Sequence, residues 1–243
     1  MKDSPFFVKY YRSFKDNFYI YFLTEYIEGK DLFDVIRSIG ILSLEQTRFY
    51  IALLIHALET FHQEGIIYRD LKPENIMVCR DGYLKLVDMG TCKKMLENQN
   101  KTFSFIGTPE YMAPEVFIHK GYSYTADLWS LGAIFYELLA GKNPFIEIDT
   151  DDMKEIYDQI MMVNLEFPHF MKDSSHYLMK HAKNLISQLL DKNNPSSRLG
   201  GSYQNLKSHP FFTGFDWVFL LLFRTFSSTE RCLQPTTLKT NIC

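Results

Sequence analysis

The chain has 243 residues, 46% of them apolar and 23% charged, and 26 Lys+Arg against 29 Asp+Glu leave a net charge of −3. That length and balance predict one large or two small folded domains and exclude a disordered, collagen-like or disulfide-scaffold protein. No Lys/Arg run reaches the length of a nucleic-acid-binding arm, so no nucleic acid partner is expected.

Phe6–Phe14 and Phe18–Glu25 are β-branched and aromatic runs around the turn Lys15-Asp16-Asn17, which predicts a hairpin. After Gly29 the pattern becomes helical, with Leu32, Val35 and Ile36 on one stripe. Ser43 with Gln46 three residues later forms a capping-box pattern and opens a helix expected over Ser43–Glu64, which Gly65 should stop. Ile51, Leu54, Ile55, Leu58 and Phe61 give that helix its buried face. Ile76–Cys79 and Tyr83–Val87 flank Arg80-Asp81-Gly82, a second, tighter hairpin. Thr91–Pro114 has little periodicity and many Gly, Pro, Thr and Lys residues, and a loop of that length is usually functional. Helical patterns return at Asp127–Leu139, Met153–Met162 and Ala182–Leu190, and the stretch from Ser227 is polar and unpatterned.

The four cysteines, Cys79, Cys92, Cys232 and Cys243, stand far apart without a C-x-x-C pair, which fits a reducing, cytoplasmic compartment. Met-Lys-Asp-Ser-Pro opens the sequence without an apolar signal segment, and the longest apolar run, Trp217–Phe223, falls far short of the about 20 residues that cross a bilayer, so no membrane span is expected. His56 and His62 lack the i, i+4 pairing of a helical metal site.

The chemistry concentrates in Tyr68-Arg69-Asp70-Leu71-Lys72-Pro73-Glu74-Asn75, between the long helix and the second hairpin, followed by Asp88-Met89-Gly90 just after a strand. Asp70 can accept a hydroxyl proton, Asn75 and Asp88 offer hard oxygen ligands for Mg2+, and Lys72 can neutralise a phosphoryl group in transfer. These are the requirements of phosphoryl transfer.

The motif resembles the catalytic loop of eukaryotic protein kinases, and the resemblance covers residues 5–217. Asp88-Met89-Gly90 stands at the D-F-G motif with Met for Phe, Ala113-Pro114-Glu115 at A-P-E, and Asp127-Leu128-Trp129 at the start of the central helix. Tyr68, Lys72 and Gly107-Thr108-Pro109-Glu110-Tyr111 are similar to the AGC group of Ser/Thr kinases. Tyr26–Phe33, Val87–Thr91 and Gly200–Tyr203 resemble cGMP-dependent kinases of unicellular eukaryotes. The resemblance implies an α+β, protein-kinase-like fold: a partial antiparallel small-lobe sheet (1–27), a mainly helical large lobe (28–217) and a divergent tail (218–243).

It also implies roles. Asp70 would be the catalytic base, Lys72 would contact the γ-phosphate of ATP, Thr108 would contact both, and Asn75 and Asp88 would hold Mg2+. Backbone groups of Glu25 and Ile27 would bind adenine above Met77, with Asp31 and Glu74 also at the nucleotide end. Thr24 stands at the gatekeeper position, or is an ordinary buried strand threonine. Ser104 would be an activation-loop phosphosite held by Arg69 and Lys93, or one more serine in a polar loop. Asp31, Glu74 and Asp158 would face basic residues before the phosphoacceptor, although Asp158 alone reads equally as a solvated charge. Phe105, Pro109 and Met112 would receive an apolar residue after it. Glu115 and Arg198 would form a buried structural pair, Asp127 would accept backbone N–H groups of the catalytic loop, and Tyr10, Tyr68 and Met89 would belong to an internal stack.

The 243 residues contain no G-x-G-x-x-G or V-A-I-K-like segment, and the family's fourth strand is where the resemblance starts. An uncovered sheet face is therefore expected, as is an unrelated tail that includes the apolar Phe219–Phe223. Three functions remain in competition: a Ser/Thr kinase phosphorylating basic peptides, a non-catalytic scaffold or binding module, and a fragment that docks substrate without turnover. A regulatory cyclic-nucleotide-binding domain would lie outside this chain.

Overall fold

The computed structural model describes residues 4–96, 98–148, 150–171 and 176–220. Its longest helix, α2 (Leu44–Gln63), begins at Ser43, whose hydroxyl accepts the Gln46 N–H while the Gln46 side chain takes the Ser43 N–H, so both halves of the capping box are made. Gly65, at φ +70°, turns the chain out of the helix. Ten residues of α2 are buried, from Thr47 to Phe61. Against α2 packs α4 (Thr125–Ala140), which is buried nearly all round and ends at Gly141 in the left-handed conformation. Gly132 lets α4 meet α6 (Tyr177–Leu189), because a Cβ there would stand 2.8 Å from Leu189 Cβ. The helices α1 (Leu32–Ile39), α3 (Pro114–Phe117), α5 (Met153–Met162) and α7 (Tyr203–Lys207) complete the helical body.

Among the described residues three short sheets lie along it. The strands β3 (Gly29–Asp31), β5 (Ile76–Cys79) and β6 (Leu84–Leu86) form one antiparallel sheet in that order, with Ile76 opposite Leu86 and Asp31 opposite Met77. Gly82, at φ +84°, makes the expected tight turn between β5 and β6. The pair β4 (Ile66–Ile67) and β7 (Lys93–Lys94) gives structure to the start of the expected long loop. That loop is further divided by a bridge between Thr102 and Tyr122 and by a 3-10 turn at Pro109–Tyr111.

The first hairpin forms from β1 (Tyr10–Lys15) and β2 (Ile20–Thr24), with the Asp16 carboxylate accepting the N–H groups of Phe18 and Tyr19 in the turn. The strand expected over Phe6–Phe14 is corrected: residues 6–8 leave the hairpin and run alongside β6, where Leu86 donates to the Phe6 carbonyl and accepts from the Val8 N–H. Packing decides this. Phe7 sits edge-on to Phe61 at 4.3 Å between ring centroids, and both Phe6 and Phe7 are buried. The hairpin itself is exposed on both strands, with Phe18 84% and Phe22 70% accessible. The uncovered sheet face anticipated from the sequence is therefore present.

The helices expected at Asp127–Leu139 and Ala182–Leu190 begin earlier, at Thr125 and Tyr177, and in α6 the added turn brings Met179 onto the core. Residues 221–243, including Cys232, Cys243, most of the tail and the end of the apolar run, lie outside the described residues. Among the described residues no helix is long and apolar enough to cross a membrane.

An ion pair whose guanidinium is fully buried ties the lower helices together. Arg198 Nη1 and Nη2 donate to the two oxygens of Glu115 at 2.6 and 3.0 Å, and the same guanidinium donates to the carbonyls of Thr125 and Asp191. It also lies 5.0 Å from the centroid of the Trp129 ring. The structural role expected of Glu115 and Arg198 thus has a geometry: every donor is used, and removal of either partner strands a buried charge. Glu115→Ala should destabilise the chain by about 3–5 kcal/mol in urea melts, whereas a loss within experimental error would mean that the pair contributes nothing.

Candidate active site

The catalytic-loop segment is held from beneath. Asp127, in the first turn of α4 and 1% exposed at its side chain, accepts the Tyr68 N–H on Oδ2 at 2.9 Å and the Arg69 N–H on Oδ1 at 2.8 Å. Arg69 is thereby kept at φ +74°, a conformation unfavourable for a residue with a side chain, immediately before Asp70.

Three groups converge on the Asp70 carboxylate. The Thr108 hydroxyl donates to Oδ1 at 2.6 Å, the Asn75 amide to Oδ2 at 3.0 Å, and Lys72 Nζ stands 3.9 Å from Oδ2. Asn75 Nδ2 also donates to the Asp70 backbone carbonyl at 2.9 Å. With its nitrogen spent on Asp70, the side-chain oxygen of Asn75 is the atom left to meet a cation. The Val87 N–H bonds to the Asn75 carbonyl at 3.0 Å, so the residue before Asp88 is fixed to this loop. Asp88 is exposed, at φ +53°, with Oδ1 accepting the Gly90 N–H at 3.1 Å. One carboxylate and one amide oxygen on adjoining segments are hard donors of the kind Mg2+ takes, with water or phosphate completing its shell.

Gly107 brings Thr108 to this point. A Cβ at Gly107 would stand 2.6 Å from the Arg69 carbonyl, and its φ is +125°, so the close approach of the two loops requires glycine.

The expected adenine end lies at β3, β5 and the segment after β2. Met77 is half-buried on the face of β5 opposite the buried Ile76 and Val78. The Glu25 N–H is engaged by the Lys9 carbonyl at 2.8 Å, and its side chain accepts the Lys9 N–H and pairs with Lys85. The Thr24 hydroxyl donates to the Glu25 carbonyl at 3.3 Å. Thr24 is exposed, which overturns the buried-strand alternative: nothing packs on this face of β2 among the described residues.

Asp31 caps α1, accepting the Asp34 N–H at 2.7 Å, and α1 with β3 adjoins the turn that carries the exposed Glu74. Asp158 stands half-buried on α5, which packs against the Pro109–Tyr111 turn. Phe105 packs edge-on to Phe117 with centroids 5.7 Å apart, and Met112 is buried beneath the same segment as Pro109. Tyr68 is buried and donates to the Val87 carbonyl, and Met89 packs on the same core, while Tyr10 is 55% exposed on β1, outside any closed stack.

Around Ser104 the cations are divided. Arg69 Nε donates to the Thr91 carbonyl at 2.5 Å, and its buried Nη1 has no hydrogen-bond partner. The Tyr122 hydroxyl, which interacts with Arg69, donates to the Ser104 carbonyl at 2.8 Å. Lys93 Nζ instead donates to the Thr102 hydroxyl at 3.0 Å, two residues before Ser104.

Sequence reasoning passes over Glu137. It sits within the apolar stretch of α4, where the Tyr111 hydroxyl donates to its Oε2 at 2.7 Å. Burial pushes its carboxyl above the ordinary range, the Tyr111 hydrogen bond opposes this, and the nearby negative charge of Glu74 adds to it. The available signal was the helix itself: with apolar neighbours on every side, no face remained to carry Glu137 into water.

Comparison with known proteins decides the family. Residues 1–212 match the model of the protein kinase domain. The chain belongs to the protein kinase domain family. It is 43% identical over 218 residues to a cGMP-dependent protein kinase of Toxoplasma gondii, a match covering 88% of this chain and 21% of that protein. A cGMP-dependent protein kinase of Plasmodium berghei (strain Anka) is 42% identical, and cGMP-dependent protein kinase 2 of Rattus norvegicus 43% identical, each over 88% of this chain and 24% and 27% of their own lengths. The chain therefore spans about a fifth to a quarter of the relatives that it matches.

Because the folded chain favours protonated Glu137, that group's stabilising contribution is complete below the ordinary value of 4.5 and is lost as pH rises through the raised value. Glu137→Gln should therefore raise the melting temperature at neutral pH, by about 2–4 °C for each kcal/mol released. The difference should close as the melts are repeated toward about pH 4; a variant less stable than wild type at pH 7 would contradict the assignment.

Proposed function

We propose that this chain carries the catalytic centre of a Ser/Thr protein kinase of the cGMP-dependent type, transferring the γ-phosphate of ATP to Ser or Thr in peptides with basic residues before the acceptor. The carrying observation is the Asp70 carboxylate, aimed by Thr108, Asn75 and Lys72 at 2.6, 3.0 and 3.9 Å. A carboxylate so oriented can take the proton of an attacking hydroxyl, and Lys72 is near enough to bind the phosphoryl group as the hydroxyl reaches it. Asn75 and Asp88 would hold Mg2+, which supplies neutralisation of the charge shared by the phosphates. The Thr108 hydroxyl, on the loop that Gly107 lets approach, fixes the Asp70 rotamer and so the direction of attack.

Selectivity for basic peptides is supported by the acids. The negative charge of Glu74 adds to the cost of ionising Glu137, and a substrate guanidinium placed between them would relieve it. Asp31 and Asp158 would extend the acidic surface, with an apolar residue after the acceptor meeting Phe105, Pro109 and Met112. The relatives' names support control by a cyclic-nucleotide-binding domain outside these residues, and a cytoplasmic location accords with the free thiols of Cys79 and Cys92. A scaffold or substrate-docking reading is favoured by the exposed β1–β2 face alone; peptide binding independent of ATP would distinguish it.

Protein isolated from its own cells should phosphorylate a basic Ser/Thr peptide with Mg-ATP, and Asp70→Asn should lower kcat by about 10²–10⁴, the range for loss of a positioned base. Retention of full kcat would end the kinase assignment of this site. Separately, the orphaned Arg69 Nη1 supports phosphate at Ser104, which would give that buried donor its partner. Phosphopeptide mapping of active protein should find Ser104 modified and Ser104→Ala should lose activity; an unmodified Ser104 together with an unimpaired variant would dismiss the phosphosite.

A further inference from the structure

Tyr203 is the first residue of α7, far from Asp70 in sequence and absent from every role assigned above. Its hydroxyl lies 2.6 Å from Nδ1 of His62, near the end of α2. The other ring nitrogen, Nε2, lies 2.8 Å from Asp127 Oδ2, the same oxygen that accepts the Tyr68 N–H. The His62 and Asp127 side chains are only 4% and 1% exposed, so water does not substitute freely for any of these partners.

The chemistry fixes the direction of each bond. An ionised Asp127 only accepts, so His62 Nε2 carries a proton; a neutral ring then presents Nδ1 as an acceptor that needs a donor. Tyr203 supplies it. Burial, with the charges of Asp127 and Glu59, holds its phenol well above the ordinary range, so the hydroxyl keeps its proton. The rings of Tyr124 and Tyr203, with centroids 5.4 and 5.8 Å from that of His62, confine the imidazole by shape. Shape alone does not distinguish the ring from its half-turn about the Cβ–Cγ bond, which would face carbon toward both Tyr203 and Asp127. The hydroxyl does.

We propose that Tyr203 is a positioning residue for the catalytic loop: its hydroxyl locks the His62 ring so that Nε2–H holds Asp127 on the backbone N–H groups of Tyr68 and Arg69, and thereby fixes the loop that presents Asp70. Calling that loop catalytic rests on the phosphotransfer reading, but the relay itself does not, and the test reads amides rather than turnover.

Tyr203→Phe removes the hydroxyl and keeps the ring. Amide hydrogen exchange resolved by residue should become about tenfold faster at Tyr68 and Arg69, the scale of one buried hydrogen bond, with Leu131 and Ile134 in α4 unchanged. Unchanged exchange at Tyr68 and Arg69, or an equal rise at Leu131 and Ile134, overturns the proposal, the second outcome because it describes general loosening. A measurement on the unaltered protein guards against a variant that does not fold: the 15N resonances of His62 should show one proton, on Nε2, and a hydrogen-bonded Nδ1. A ring with its proton on Nδ1, with two protons, or with an unbonded Nδ1 equally overturns it. Failure of peptide phosphorylation with the relay intact would count against the kinase reading and leave this one standing.

Discussion

Asp127 places a carboxylate where only 1% of its side chain meets solvent, and that burial would be prohibitive without donors. Three are provided, the N–H groups of Tyr68 and Arg69 and the ring of His62. The two amides belong to a segment whose own backbone bonds are not made within a helix or sheet, so each side of the contact satisfies the other's need. The contact sets the left-handed turn at Arg69, the direction of the Asp70 side chain, and the exposure of the Arg69 carbonyl to the close approach of Gly107. The segment that carries Asp70 is thus oriented from α4 through the two residues before it.

A second buried charge organises the molecule differently. Arg198 spreads its donors over Glu115 and two carbonyls, and so joins the segment before α4 to the turn after α6. Asp127 and Arg198 thus fix α4 from two sides, one toward the catalytic loop and one toward the lower helices. Beyond Asp127 the one charged side chain of α4 is Glu137, and both it and Ser130 bond to Tyr111, Glu137 accepting the hydroxyl and Ser130 donating to the carbonyl. Burial, with the nearby charge of Glu74, pushes the Glu137 carboxyl up, and the Tyr111 hydroxyl offsets part of that cost.

The sequence was legible where chemistry is local. Ser43 and Gln46 announce α2, Asp81-Gly82 announces the β5–β6 turn, and the motif around Asp70, Asn75 and Asp88 announces the candidate site before any geometry is known. It was illegible where partners are distant. The bond between His62 and Tyr203 joins residues 141 positions apart, and no periodicity encodes it. Phe6 and Phe7 continue a strand-like pattern, yet the pocket beside Phe61 takes them out of the hairpin; a run of aromatic residues specifies burial without saying against what. The resemblance sets Lys93 beside a phosphate on Ser104; in the structure the bridge between Thr102 and Tyr122 brings the Thr102 hydroxyl to it, a pairing that no local pattern encodes.

The β1–β2 hairpin shows the same limit from the opposite side. Two strands without a covering layer have little intrinsic stability in water. Here the hairpin is tied to the body at its base, where Glu25 bonds to Lys9 through the backbone and to Lys85 through its side chain, and where residues 6–8 lie along β6. Beyond that base its aromatic side chains stack mainly on one another, Phe14 on Tyr21 with centroids 5.0 Å apart. Such stacking recovers part of the apolar area and leaves Phe18, Ile20 and Phe22 in solvent, more than a stable surface ordinarily presents together. Its base, through Glu25 and Ile27, also borders the expected adenine site, so among the described residues that end rests on a few bonds at the foot of an exposed hairpin, whereas the Asp70 loop rests on the buried contacts of Asp127.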